Sequence, residues 1–385
     1  MRVLIAPDKF KGSLSASEAA QAMAEGVCAA CPEASVDLAP VADGGEGTVE
    51  ALVSATNGTI HSARVTDPLG KPISAPFGRL GDGLTAVLEM AAASGLSLIA
   101  PGMRDPFQTS TRGTGELIRA AIDSGARRLI VGIGGSATND GGAGMSQALG
   151  YGLLDAHGRD LEPGAAALER LDRIDASGHD PRLGQVEIEI ACDVDNPLTG
   201  PRGAAAIFGP QKFDPARPAT PEQIARLDAE LAHLARVIER DVHVSVSHIP
   251  GAGAAGGLGA GLVAFAGGKL LPGIELVLRA INLESRLQKA TLCLTGEGML
   301  DASSAGGKAA IGVARLARSM GVPAVILAGT LGSGASAALE HGVSAYFSVC
   351  PGPMPIEHAL SNARELLARA TEQVVRCFRA GRDSR

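Results

Sequence analysis

Carboxylates, lysines and glycines gather in short clusters, each placed where an apolar run gives way to a loop. Lys9 and Lys11 follow Val3–Ala6, and Asp43 and Glu46 bracket a glycine pair after Val36–Ala39. Asp193 and Asp195 follow Val186–Ala191, while Glu297, Asp301 and Lys308 follow Thr291–Thr295. The densest cluster is Leu129–Gln147, LIVGIGGSATNDGGAGMSQ. There Leu129–Val131 breaks into Gly132, Gly134 and Gly135, then Ser136, Thr138, Asn139 and Asp140, then Gly141, Gly142 and Gly144. Glycines permit backbone conformations and close approaches that a Cβ forbids. A helix following such a loop aims N–H groups back at it, which suits an anion. Asp140 would repel that anion unless a metal ion or a proton lay between them. Anion-binding backbone beside acidic side chains reads as a metal–phosphate site; the plainer alternative is a tight strand-to-helix turn.

The other clusters admit pairs of readings. Lys9 and Lys11 precede a helix start and either face an anion or form a solvated basic loop. Asp43 and Glu46 could hold a cation or accept a proton, or Glu46 could cap a helix. Asp193 and Asp195, two apart on a strand end, share a side and could reach one cleft, or they form an aspartate turn before Asn196-Pro197. Gly251, Gly253 and Gly256 match GxGxxG after the strand-like VHVSVS, but Pro250 precedes the first glycine, which disfavours a dinucleotide site. Gly307-Lys308 ends like a P-loop, yet Ala302 and Ala309 stand where glycine and a hydroxyl residue are required. Cys28 and Cys31 form a lone CxxC inside a helix end, a weak case for zinc or redox chemistry.

These clusters need strands and helices to hold them. The 385 residues suggest two domains. The 51 glycines follow no collagen period, and at 3% aromatic with no tryptophan the chain lacks stacking platforms for nucleic acid. A net charge of −7 without a basic stripe points the same way. The N-terminus enters a strand directly, which does not read as a signal peptide, and a cytoplasmic location is expected. Ile249–Gly268 carries no charge but is too rich in glycine for a good membrane span, and reads as a buried turn and helix. Ser15 and Glu18 have capping-box spacing for a helix to about Val27; Thr220, Pro221 and Gln223 start another to about Glu239. Between Thr59 and Leu98 the pattern changes to antiparallel hairpins, with Thr85–Met90 a further strand. An amphipathic helix is expected from about Gly115 to Ser124. Strand–loop–helix alternation returns near Ala290, with a strand at Ala324–Ala328, helices at Ala309–Met320 and from Pro355 to about Phe378. The expected class is therefore α/β, with a parallel-sheet domain built from 1–60 and 287–385 and a mixed α/β domain inserted at 61–286.

Taken in order, APDKFKGSLSASEAA, VADGGEGTVEAL, the DPLG turn, EMAAASGL, TRGTGELIRAA, GIGGSATNDGGAGM, ACDVDNPLTGPRGAA, FGPQK, GAGAAGGLGAGL and GEGMLD…GK span nearly the whole chain. This ordered set resembles the class I glycerate kinase family. The resemblance implies a flavodoxin-like domain assembled from both chain ends, an inserted second domain and an active site in the cleft between them. It further implies phosphorylation of D-glycerate dependent on ATP and Mg2+, usually at the 2-hydroxyl. Two departures stand out. The family usually has arginine where Met299 stands, with Gln-Thr where Ser303 and Ser304 stand, so a guanidinium fork is absent. Phe213 and a proline-rich stretch replace the usual glycine after FGPQK.

Phosphoryl transfer requires positioning, charge neutralisation and a group to take the hydroxyl proton. Asp193, at a strand tip beside a turn, is the expected base. Asp195, Asp43 and Glu297 are the expected magnesium ligands, direct or through water. Gly134, Gly135, Ser136 and Asn139, with Asp140 and Lys308, would hold phosphate and substrate, while Lys9 and Lys11 offset negative charge. A homodimer is compatible with the sequence. The rivals are an NAD-dependent oxidoreductase using the glycines at 251–256, and a ligand-binding regulator that lost arginine at 299.

Overall fold

The structure, a computed structural model, describes residues 1–306 and 308–383. Gly307, Ser384 and Arg385, and with Gly307 half of the P-loop-like pair, lie outside the described residues. Among the described residues, thirteen strands run in chain order: β1 (Arg2–Ile5), β2 (Ser35–Leu38), β3 (Thr59–Thr66), β4 (Pro72–Arg79), β5 (Thr85–Glu89), β6 (Arg128–Gly132) and β7 (Gly152–Leu154). They continue with β8 (Arg173–Asp175), β9 (Glu187–Ala191), β10 (Lys269–Leu271), β11 (Leu292–Leu300), β12 (Ala324–Leu331) and β13 (Ala345–Ser348). The chain divides into two compact units: one of residues 1–43, 50–58 and 274–385, the other of residues 44–49 and 59–273.

The first unit carries a sheet in the order β13-β12-β11-β1-β2, every pair parallel. Numbered within the unit, that order is 2-1-3-4-5 read from the other edge, the flavodoxin-like arrangement. Its central strands are continuous apolar runs because both faces are covered: Val3, Leu4, Ile5, Leu292, Cys293 and Leu294 are fully buried. The helix Ala16–Ala30 starts at the expected capping box, with the Ser15 hydroxyl accepting from Glu18 N and the Glu18 carboxylate accepting from Ser15 N. The long terminal helix is interrupted: Ile356–Ser361 ends at Asn362 and Ala363–Asp383 follows.

The second unit holds a mixed sheet in the order β10-β9-β6-β5-β4-β3. The hairpin expected between Thr59 and Phe77 is there, β3 antiparallel to β4 over Thr59↔Arg79 to Thr66↔Pro72. From β5 onward the strands are parallel. Parallel strands release their following loops at one edge, so the loops after β5, β6 and β9 emerge side by side. No helix among the described residues is long and apolar enough to cross a membrane. The uncharged stretch after Ile249 is a turn followed by the buried helix Leu258–Ala266.

Two expectations are corrected. Residues 242–247, VHVSVS, form no strand, so the glycines at 251–256 do not open a strand–turn–helix unit. And β11 does not stop at Thr295; it runs to Leu300, pairing Met299 with Thr330 and Leu300 with Leu331, which places Glu297 within a strand. The paired partner extends the strand where local sequence suggested a loop.

Candidate active site

Residues of the first unit meet at the carboxyl edge of its sheet. Thr295 donates its hydroxyl to the Ala6 carbonyl at 2.7 Å, and Asp8 N donates to Gly296 O at 2.9 Å, which fastens the end of β1 to β11. The Phe10–Leu14 loop closes on itself through Phe10 N to Leu14 O at 2.9 Å and Leu14 N to Phe10 O at 3.0 Å. A Cβ on Gly298 would stand 3.1 Å from Lys11 N, so this glycine lets the lysine loop lie against β11. Asp8, Lys9, Lys11, Glu297, Met299 and Lys308 thereby line one cavity of about 770 Å³.

Burial pushes the Asp8 carboxyl up to about 7, with Asp43 and Glu297 adding to the rise and Lys9 opposing it. Burial also raises Glu297, against the pull of Lys308, whose Nζ lies 3.6 Å from Glu297 Oε2. Lys308 is steered by Ser304, donating to its hydroxyl at 3.1 Å, and stands 3.8 Å from Asp301. The Ser303 hydroxyl, donating to Asp301 at 2.6 Å, holds that carboxyl below its usual range. Asp8 is the residue that motif reading passed over. Its signal was available: a carboxylate directly after a buried strand that ends in Ala6-Pro7.

The glycine-rich loop lies in the second unit. As expected, β6 leads through it to a helix, but Ala143–Ala148 is only six residues long. The N–H groups at its start are already taken. Gly142 N donates to Asp140 Oδ1 and Gly144 N to Oδ2, each at 3.2 Å, and Met145 N donates to the Thr111 hydroxyl at 2.9 Å. Thr111 N and its hydroxyl also donate to Asp140 Oδ2 at 2.8 and 2.9 Å. Asp140 is fully buried and therefore serves as the anion of its own loop, a fastening rather than a contact with ligand. Burial raises its carboxyl while these donors pull it back.

Gly134 and Gly135 remain at the surface, Gly135 with a φ of 74°. Ser136 and Asn139 are buried; Ser136 accepts from Thr138 N at 3.1 Å, whereas neither amide atom of Asn139 is hydrogen-bonded. Lys212, from FGPQK, is buried beneath this loop and donates to Thr138 O at 2.6 Å. The segment around Gly256 packs on the same loop, where a Cβ on Gly256 would fall 1.9 Å from Thr138 O. Close packing, rather than a dinucleotide, accounts for that glycine.

Lys212 yields a pH prediction. Burial pulls its ammonium down to about 7, against the opposing attraction of Asp140. An unfolded lysine titrates near roughly 10.4, so between these values the unfolded chain binds more protons and stability rises with pH. The expected gain from pH 7 to 9 is on the order of 2 kcal/mol in denaturant unfolding. Lys212→Met should flatten that rise; an equal rise in both proteins would refute the assignment.

Asp193 is exposed where the chain leaves β9, and its Oδ1 accepts from Gly273 N at 2.8 Å. Asp195 is also exposed and pairs with Arg202 at 3.2 Å. Within the first unit Asp43 and Glu297 act on Asp8, and within the second Asp195 is matched to an arginine. Among the described residues, no three His, Cys, Asp or Glu side chains are arranged to hold a metal ion. Cys28 and Cys31 are both free thiols.

Comparison with known proteins extends over the whole chain. The model of the glycerate kinase family matches residues 3–379. A glycerate kinase of Bacillus subtilis strain 168 is 51% identical over 374 residues, covering 97% of each chain. A glycerate 2-kinase of Escherichia coli K12 is 49% identical over 381 residues, covering 99% of each. The crystal structure of a glycerate kinase-type protein from Salmonella typhimurium LT2 superposes with a TM-score of 0.90 at 50% identity, with both chains covered completely.

Proposed function

The chain belongs to the glycerate kinase family, kinases acting on an alcohol acceptor, and from that premise we propose that it moves the γ-phosphoryl group of ATP to the 2-hydroxyl of D-glycerate. The 2-hydroxyl oxygen forms a bond to phosphorus as the bond to the bridging oxygen of ADP breaks. The hydroxyl proton passes to a carboxylate, for which Asp193 is the choice. Its exposed carboxylate has one oxygen oriented by the Gly273 N–H. Lys9, Lys11 and Lys308 offset anionic charge, and the surface backbone at Gly134 and Gly135 holds phosphate or substrate. The observation that carries the reading is the gathering of Asp8, Glu297 and these three lysines on one cavity in a chain that matches its family end to end.

Magnesium fits the residues present. Burial raises the Asp8 carboxyl, Asp43 and Glu297 add smaller repulsion, and a cation beside it would relieve that repulsion. This hard ion keeps several waters and phosphate oxygens, so one or two of these carboxylates suffice to hold it. When bound it would supply charge neutralisation on the phosphates.

Incubation with D-glycerate and Mg-ATP, followed by phosphorus NMR, tests the reaction. The expected product is 2-phosphoglycerate; a 3-phospho signal would overturn the regiochemistry, and no turnover with retained glycerate binding would favour the regulator reading. Met299 offers a second test. It is half-exposed on the cavity wall and presents no charge. Met299→Arg adds a planar donor fork suited to carboxylate or phosphate. A gain of about tenfold in kcat/KM is expected, equivalent to roughly 1.4 kcal/mol; a loss would show that the apolar side chain is the fitted one.

A further inference from the structure

β5 ends on a carboxylate, Glu89, half-buried at the carboxyl edge of the second sheet. The parallel register sets it abreast of Gly132 on β6, and Gly132 abreast of Ala191 on β9. In-register residues of parallel strands present their side chains to one face, so the three form a single row. The segment 44–49, part of the same unit, lies along that row. A Cβ on Gly132 would stand 2.5 Å from Gly44 O, and one on Gly44, whose φ is 90°, would meet the Ala191 Cβ at 2.6 Å. Two positions of the row are therefore small to admit the segment, and the third is long and holds it. Val49 N donates to Glu89 Oε1 at 2.9 Å. Val49 lies in the first turn of the helix Thr48–Thr56, where N–H groups lack internal partners and a carboxylate is favoured. Between these anchors the buried Thr48 closes the turn, its hydroxyl donating to Gly45 O at 2.6 Å.

The segment touches both parts of the second unit that the kinase reading uses. A Cβ on Gly134 would lie 3.5 Å from Gly45 Cα, and one on Gly44 would lie 3.4 Å from Gly273 Cα, the residue whose N–H orients Asp193. Resting on that reading, we propose that Glu89 is a positioning residue for phosphoryl transfer. Through Val49 N it fixes the segment 44–49, which keeps the Gly134–Gly135 backbone and the Gly273–Asp193 contact in register. Glu89 works here as a hydrogen-bond acceptor, not as a base or a metal ligand. A displacement of about 1 Å transmitted to reacting groups costs on the order of 10²-fold in rate.

Glu89→Ala removes the acceptor, whereas Glu89→Gln keeps an amide oxygen that can take the Val49 N–H. The alanine variant should lower kcat for D-glycerate by about 10- to 100-fold with an unchanged circular dichroism spectrum. The glutamine variant should restore kcat to within about threefold of wild type. Gly132→Ala, which drives a methyl group against Gly44 O, should reproduce the loss with Glu89 intact. Amide hydrogen exchange at Val49 should accelerate at least about tenfold in Glu89→Ala and stay near wild type in Glu89→Gln. A kcat for the alanine variant within threefold of wild type overturns the proposal. So does a glutamine variant no better than alanine, which would make the charge itself the working feature. If the wild type transfers no phosphate to glycerate, the kinase reading falls and exchange decides the rest. Faster exchange in alanine, reversed in glutamine, leaves the hold of Glu89 on the segment standing; equal exchange in all three removes it.

Discussion

Asp193→Asn is expected to lower kcat by about 10²–10⁴-fold, with KM values changed only a few-fold. Asparagine preserves the acceptor that takes the Gly273 N–H, so the loop after β9 stays in place and only the ability to take a proton is lost. Parallel measurement on Asp8→Asn separates the two carboxylates. A base should lose kcat, whereas a group that holds phosphate or cation should lose affinity for Mg-ATP. A kcat for Asp193→Asn within threefold of wild type would remove it as the base. The same loss in the Asp8 variant would then transfer the role to the first unit.

Asp140→Asn should be the most damaging change in the second unit. Four donors converge on this buried carboxylate, from Thr111 N, the Thr111 hydroxyl, Gly142 N and Gly144 N. An amide replaces one acceptor oxygen with a donor, which leaves buried N–H groups facing N–H, and it removes the charge that Lys212 feels. Breaking such a buried charged network costs about 3–5 kcal/mol. For a unit of this size the melting midpoint should fall by roughly 10 °C. Activity should fall with it, since Gly134 and Gly135 lie on the same loop. A variant with unchanged midpoint and lost turnover would instead make Asp140 a direct ligand of the substrate.

Much of the architecture was readable from local pattern. Buried parallel strands advertise themselves as uninterrupted apolar runs, and capping boxes mark helix starts, because both depend on residues within a few positions of each other. The return of strand–loop–helix alternation near Ala290 announced that the ends of the chain form one sheet. Tertiary structure decided the rest. The length of β11 depended on pairing with β12, a partner some thirty positions away. The ends of the second sheet set which loops emerge together, so Asp193 and the glycine loop share an edge that no spacing reveals. The sequence could show that Asp140 stands in an anion-binding loop. Only the packing of Thr111 against it shows that Asp140 is itself the anion bound there. Likewise Asp8 was one carboxylate among 41 acidic residues until burial and the approach of Asp43 and Glu297 moved its proton affinity toward neutrality. Residue type determines which chemistry is available; desolvation and long-range neighbours determine which residues carry it.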